Sequence, residues 1–369
     1  REGRALFFDA SKSRDNNTSC ATCHVEGESD FLVWNLSAGP SDDKGPMMTQ
    51  TLAGIERMAP FHWRGERAEL SDFNPAFVEL LGGEELDETP GGEFEAFEAF
   101  VFSIQNRPNP DQSPYRILDA DLPAPTVSGN GDAVRGQTAF FTEATFGVFT
   151  CNDCHQMPLG TNNDDFQDLA LENRPKRSRF NVAPFHGMEE RADMPRDEVI
   201  LWNDPEDPLQ GTTTNLHAAL GAGTSHAGLT ADLQTFVDAV GNLGNSDPEM
   251  SEDITAFVAQ FDTGIAGSAV QARYLDASSS LAERREVANL LLGQANARNC
   301  SLAVLGETVT AAPGRVLVTR RWSYDPFANG GEGLFSCEDP AEGTRSYADF
   351  LLGLSAGERL IFIGLPVGS

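Results

Sequence analysis

The chain has 369 residues, and its 56 acidic against 26 basic side chains give a formal net charge of −30. That charge repels nucleic acid and anionic lipid, so neither is an expected partner, and no apolar run approaches the length of a membrane-spanning helix. The length suffices for two or three domains with cores of their own, while the acidity fits solubility in a salty or extracellular medium or a docking face for a basic redox partner.

The chain opens at Arg1 rather than Met and reads as a processed or partial chain, so the lack of a leader says nothing about compartment. Its first segment, GRALFFDASKSRDNNTSCATCH, ends in Cys20, Cys23 and His24. Cys-x-x-Cys-His is the attachment signature of c-type haem: two thiols this far apart reach the two vinyl groups of one porphyrin, and the adjacent His lies under the iron as proximal ligand. Next comes MAPFHWRGER with His62, Trp63, Arg64 and Arg67, then a helical pattern over 93–105. Residues 107–132 are rich in Pro, Gly and Asp and read as a linker.

A second copy follows. VRGQTAFFTEATFGVFTCNDCH repeats the basic residue, the small residues, the Phe-Phe pair and the haem motif, now at Cys151, Cys154 and His155. The offset of about 130 residues marks an internal duplication. Phe7-Phe8 and Phe140-Phe141 are expected on helices packing over the haem edge. A thioredoxin-like pair and a zinc site are the competing readings of each motif; zinc wants four ligands and a lone Cys-x-x-Cys supplies two.

Beyond the second motif, helical patterns cover 230–243, 251–261 and 281–298, and strand patterns appear in GRVLVTRRWSY and GERLIFIGLPV. Cys300 and Cys337, with no His nearby, are expected to form a disulfide in an oxidising compartment. The strand-like run at the last residues suggests a chain that continues beyond Ser369. Together these patterns predict a mainly α fold: two cytochrome c-like helical domains, one covalent haem each, with a small β-rich C-terminal appendage. The expected boundaries are 1–106, a linker over 107–132, 133–298, and 299–369.

Function turns on the far axial position of each haem, where His or Met makes an electron-transfer centre and an open site permits peroxide chemistry. His62, His186 and His226 are the distal candidates, with Met47, Met48, Met58, Met188, Met194 and Met250 behind them; His217 reads as surface or structural. Arg64 and Arg67 suit haem propionates, since guanidinium pairs bidentately with carboxylate. The acidic runs at 203–208 and 162–165 resemble calcium sites but read more plainly as loops, because calcium needs six or more oxygens.

The two motifs, HWRG at His62–Gly65 and SHAGLTADLQTFV around His226 make the chain resemble the bacterial di-haem cytochrome c peroxidase superfamily, which includes the di-haem enzyme maturing methylamine dehydrogenase. The resemblance covers about residues 1–265. It implies that Trp63 bridges the haems. The mechanism expected is peroxidase-like: electrons enter at the haem of His155 and reach that of His24, where His62 or a nearby Glu moves the proton in peroxide cleavage. The family's catalytic acid does not carry over, and Glu66, Glu69 and Glu79 are nearby candidates that no pattern separates. The resemblance also implies a periplasmic or extracellular protein with an electron-donor or acceptor redox protein as partner. The chain departs from the family at Pro40, where a displaceable His is common, at Ala227, and near Val240. Those departures leave a rival: an electron carrier with both haems six-coordinate and bis-His, able to assemble with copies of itself into a multi-haem conduit.

Overall fold

The computed structural model describes residues 1–34, 36, 47–121, 130–167, 179–185, 187–188, 218–220, 233–241, 247–309, 316–354 and 356–367. They divide into two compact units, one of residues 1–107 and 119–261, the other of 108–118 and 262–369.

In the first unit the duplication is visible as two helix pairs. The helix Glu2–Phe8 packs on Glu93–Phe102, and Ala133–Thr142 packs on Pro248–Ala259. Each pair closes around a glycine. A Cβ at Gly3 would stand 1.8 Å from the Ala96 carbonyl oxygen, and one at Gly136 1.8 Å from that of Asp253. Four residues on from each glycine, one turn along the same face, Phe7 and Phe140 are almost wholly buried. Phe7 meets Phe97 and Phe100, and Phe140 meets Phe257 and Phe185. The second member of each pair, Phe8 or Phe141, is 39 % exposed. Asp132 caps its helix by accepting the Val134 and Arg135 amides, and Arg135 spans to Asp253 and Glu249 on the partner helix.

Short strands join these helices: β1 (Leu32–Trp34), β2 (Met47–Met48), β3 (Asp165–Gln167), β4 (Arg179–Asn181) and β5 (Ala218–Leu220). They pair antiparallel in the order β2-β1-β5, with β3 beside β4. The β1–β5 pairing sets Leu32 opposite Leu220, so the two repeats share a sheet.

The second unit is built on a six-stranded antiparallel sheet of β6 (Ala272–Asp276), β7 (Ser301–Val309), β8 (Val316–Asp325), β9 (Leu334–Cys337), β10 (Thr344–Arg345) and β11 (Glu358–Leu365). Its order is β10-β9-β8-β7-β11-β6. The helical run of Leu281–Glu286, Val287–Leu292 and Gly293–Asn296 lays Val287, Leu290, Leu291 and Ala295 on Leu302, Val304, Trp322, Phe335 and Phe362. The middle of that run is a π turn.

Two expectations are corrected. The fold is not mainly α. The six-stranded sheet reaches back to Ala272, a second sheet lies within the haem-motif unit, and several helices are single turns. The β-rich C-terminal appendage itself is present. The second correction concerns Cys300 and Cys337, which are free thiols. Register explains it. Val304 faces Trp322, which faces Cys337, so Cys337 lies two strands from β7 at the level of Val304. Cys300 is four residues before Val304, a separation of about 13 Å along the strands and about 10 Å across them. A disulfide needs Cα atoms within about 7 Å.

Candidate haem-binding sites

Both Cys-x-x-Cys segments form one helical turn, Cys20–Cys23 and Cys151–Cys154, which puts their two sulfurs on neighbouring positions of one face. Each turn starts in the same way. The Ser19 amide donates to Thr22 Oγ1 at 3.0 Å, and the Thr150 amide donates to Asp153 Oδ2 at 2.7 Å. Each also stops in the same way, at a His of nearly identical backbone: φ −95, ψ 71 for His24 and φ −94, ψ 66 for His155. Two repeats 131 positions apart thus reach one local geometry from different side chains.

The imidazoles are held alike. His24 Nδ1 is 2.9 Å from the Gln50 carbonyl oxygen, and His155 Nδ1 is 2.8 Å from that of Gly160. A carbonyl can only accept, so Nδ1 carries the proton and Nε2 keeps its lone pair. This is the tautomer, and the backbone-carbonyl contact, that an iron-ligating histidine uses. Burial pushes the His24 imidazole below its ordinary value, outweighing the hydrogen bond to Gln50, so the ring is neutral near neutral pH.

The environment of the thiols bears on the competing readings. Burial raises all four, Cys20 to about 11, and Cys23, Cys151 and Cys154 also upward. A thioredoxin-like pair needs a lowered thiol. Among the described residues no group of three or more His, Cys, Asp or Glu side chains is placed to hold a metal ion, so zinc has no third ligand there. The residues fit covalent haem at both motifs: paired protonated thiols and an imidazole with Nε2 reserved. Bound haem would supply a redox-active iron and an extended π system. Cys20 with Cys23 and Cys151 with Cys154 would hold it, and His24 and His155 would ligate its iron.

Between the motifs lies the loop of residues 58–67. Phe61 and Arg67 pair as an isolated bridge, so the loop is a tight hairpin with His62 near its start. His62 takes φ 74, a left-handed value that costs a non-glycine residue about 1 kcal/mol or more. Its Nδ1 lies 2.5 Å from Glu66 Oε1, and its ring meets Phe73 edge-on. His62 is also among the charges acting on His24. Glu69 is at the start of the Leu70–Phe73 turn, and Glu79 is exposed on the helix Ala76–Glu79. Arg67 Nε is buried and makes no hydrogen bond among the described residues, a donor disposed for a carboxylate; Arg64 also has a buried Nε.

Trp63 is 4 % exposed. It packs with Val33, Met47, Met48 and Phe180, so residues of both repeats enclose it. Its Nε1–H donates to the Met48 carbonyl at 2.6 Å, and its own carbonyl accepts the Asn181 amide at 2.9 Å. Asn181 Nδ2 donates to the Pro60 carbonyl and Asn163 Nδ2 to that of Arg57, tying the second repeat to the same loop. Asn162 and Asn163, in one of the acidic runs, are thus engaged in turn and inter-repeat hydrogen bonds. Met47, Met48, Met58 and Met188 are buried. His186, His217, His226, Met194, Pro40, Ala227 and 203–208 lie outside the described residues.

Sequence reasoning missed three parts of this arrangement. The close-packed Gly3 and Gly136 were signalled by the repeated Gly-x-x-x-Phe. The carbonyls of Gln50 and Gly160 had no signal, because any residue supplies a carbonyl. Phe185, whose ring lies on His155, had no signal either, because it stands 30 positions beyond the motif and no spacing rule ties it to the histidine.

Residues 2–90 match the family described as di-haem cytochrome c peroxidase. That match supports, for the first repeat, the superfamily that the two haem motifs and HWRG resemble. The crystal structure of a MauG-like protein associated with microbial copper homeostasis is similar over 70 % of this chain and 86 % of that chain, at 16 % identity and a TM-score of 0.35. No curated protein matches.

Proposed function

We propose that this chain is a di-haem c-type cytochrome that works as a peroxidase-like oxidoreductase, taking electrons at the haem of His155 and using them at the haem of His24. The observation that carries the reading is the pair of matched imidazoles, each with Nδ1–H on a carbonyl and Nε2 reserved for iron, with a buried tryptophan enclosed by both repeats. Trp63 relays electrons: its indole is out of water and its polar edge is satisfied by Met48. His62, paired with Glu66, moves protons on the first side. Reducing one peroxide to two waters takes two electrons and two protons, and a His–Glu pair both holds a proton and replaces it.

The family match also supports a periplasmic location. Among the described residues no helix is long and apolar enough to cross a membrane. An electron-donating redox protein is the expected partner, and the strong negative charge favours one with a basic face.

The test is low-temperature electron paramagnetic resonance of the fully oxidised protein, before and after peroxide. A high-spin ferric signal from one haem that peroxide removes is the expected result. Two low-spin signals that peroxide leaves unmoved, in the oxidised and the half-reduced protein, would replace this reading with the electron carrier.

A further inference from the structure

We propose that Phe185 is a positioning residue for the axial histidine of the second haem, fixing the plane of the His155 imidazole by stacking on its face. The inference deepens the di-haem reading and rests on it for the identity of the group that His155 ligates. The two ring centroids are 4.5 Å apart and the planes are inclined by 18°.

Phe185 is itself held in place. It is 7 % exposed and lies between Phe140 and Phe261, both edge-on, with centroids at 5.9 and 5.3 Å. Its amide donates to the Leu159 carbonyl at 3.4 Å. Gly160 takes φ 72 and brings its backbone so near that a Cβ there would stand 2.7 Å from the Phe185 ring. The same glycine supplies the carbonyl that accepts His155 Nδ1–H. Two restraints therefore act together. The hydrogen bond sets where Nδ1 points within the ring plane, and the stacked ring resists rotation of the plane itself.

His24 is held differently. It has the Gln50 carbonyl, but among the described residues no aromatic ring stacks on it. The segment bearing Phe185 still approaches that loop: a Cβ on Gly187 would lie 3.4 Å from the Thr51 methyl, one residue from Gln50. The orientation of an axial imidazole governs its overlap with the iron d orbitals, and groups around a ligand tune the metal it holds. Removing the ring is expected to change the second haem and spare the first.

The test uses the full chain carrying both haems. Phe185→Leu removes the ring and keeps apolar bulk, and Phe185→Tyr keeps the ring. Haem content, electron paramagnetic resonance g-values and midpoint potentials are read for each. Phe185→Leu is expected to shift the g-values and potential of one haem while the other stays at parent values, and Phe185→Tyr to restore both. Should Phe185→Leu fail to carry two haems, Phe185→Met, of similar size without a ring, takes its place with the same expectation. Parent spectra and potentials in the ringless variant would overturn the proposal, as would equal shifts in the ringless and Tyr variants. A parent protein indifferent to peroxide would overturn the peroxidase reading and leave this outcome standing.

Discussion

At the scale of single residues, His62 combines a cost with a contact. A left-handed backbone is unfavourable for histidine, yet here it turns the imidazole onto Glu66 and Phe73. Glycine would take the same φ without that cost. His62→Gly is therefore expected to leave thermal stability within about 1 kcal/mol of the parent while peroxide turnover falls by about 10²- to 10⁴-fold. Parallel melting and stopped-flow experiments check it; preserved turnover would remove His62 from the proton path. Trp63 makes a separate prediction. Trp63→Phe keeps an aromatic ring among Val33, Met48 and Phe180 but strands the Met48 carbonyl. Inter-haem electron transfer after flash reduction should slow, with both midpoint potentials unchanged; unchanged transfer kinetics would argue that the relay runs elsewhere.

At the scale of elements, the helix pairs depend on contacts with no room to spare. Adding one methyl at Gly136 sets it against the Asp253 carbonyl, and the helices must part. Gly136→Ala should destabilise the protein by about 1–3 kcal/mol, the usual cost of overpacking, and Gly3→Ala should do the same in the first repeat. Denaturant melts with the haem absorbance as probe would show it; an unshifted midpoint would mean that the helices slide apart freely. The helix starts in the second unit respond to acid instead. Asp349 accepts the Ser346 backbone and side-chain donors, Glu283 accepts the Ser280 amide while its own amide donates to Ser280 Oγ, and the hydrogen bonding to Ser346 and Ser280 lowers both carboxyls. Their folded-state values lie below the unfolded ones, so their contribution is full above the ordinary carboxylate range. It is lost as pH falls through the lowered values. Circular dichroism of Asp349→Asn and Glu283→Gln should show a flatter loss of stability below pH 4 than the parent. The same elements show what the sequence could say. The long helices at 93–105, 251–261 and 281–298 were legible because ten or more residues carry a 3.6 period. Strands of two or three residues, such as Met47–Met48, carry no period, and their pairing is decided by partners far along the chain. The helix 281–298 was recognised as a helix, but periodicity does not name its partner, and its apolar face lies on the sheet of β7, β8 and β11.

At the scale of the whole molecule, the two Cys-x-x-Cys-His motifs were legible because the haem-attachment signature fixes residue types and spacing within five positions. The Cys300–Cys337 pair shows the opposite case. Pairing was inferred from the cysteines left over, and leftover count contains nothing about register. Their separation across β7, β8 and β9 puts them beyond reach of each other, and Cys300 lies 4 % exposed in the same core cluster that Cys337 borders. Burial raises the Cys300 thiol, which keeps it protonated and slow to oxidise. Of the six cysteines, four lie in the two Cys-x-x-Cys-His motifs, where the proposed haems would bond them. The purified protein, unfolded without reductant, should therefore yield two titratable thiols, and the folded protein far fewer within the same time. A count of zero in the unfolded protein would mean that oxidation had rearranged strands β7 to β9. A count of two means that the second unit is held by its core and its ladders alone, so the case for an oxidising compartment rests on the two haem-type motifs and the family match, with the cysteines of the sheet playing no part.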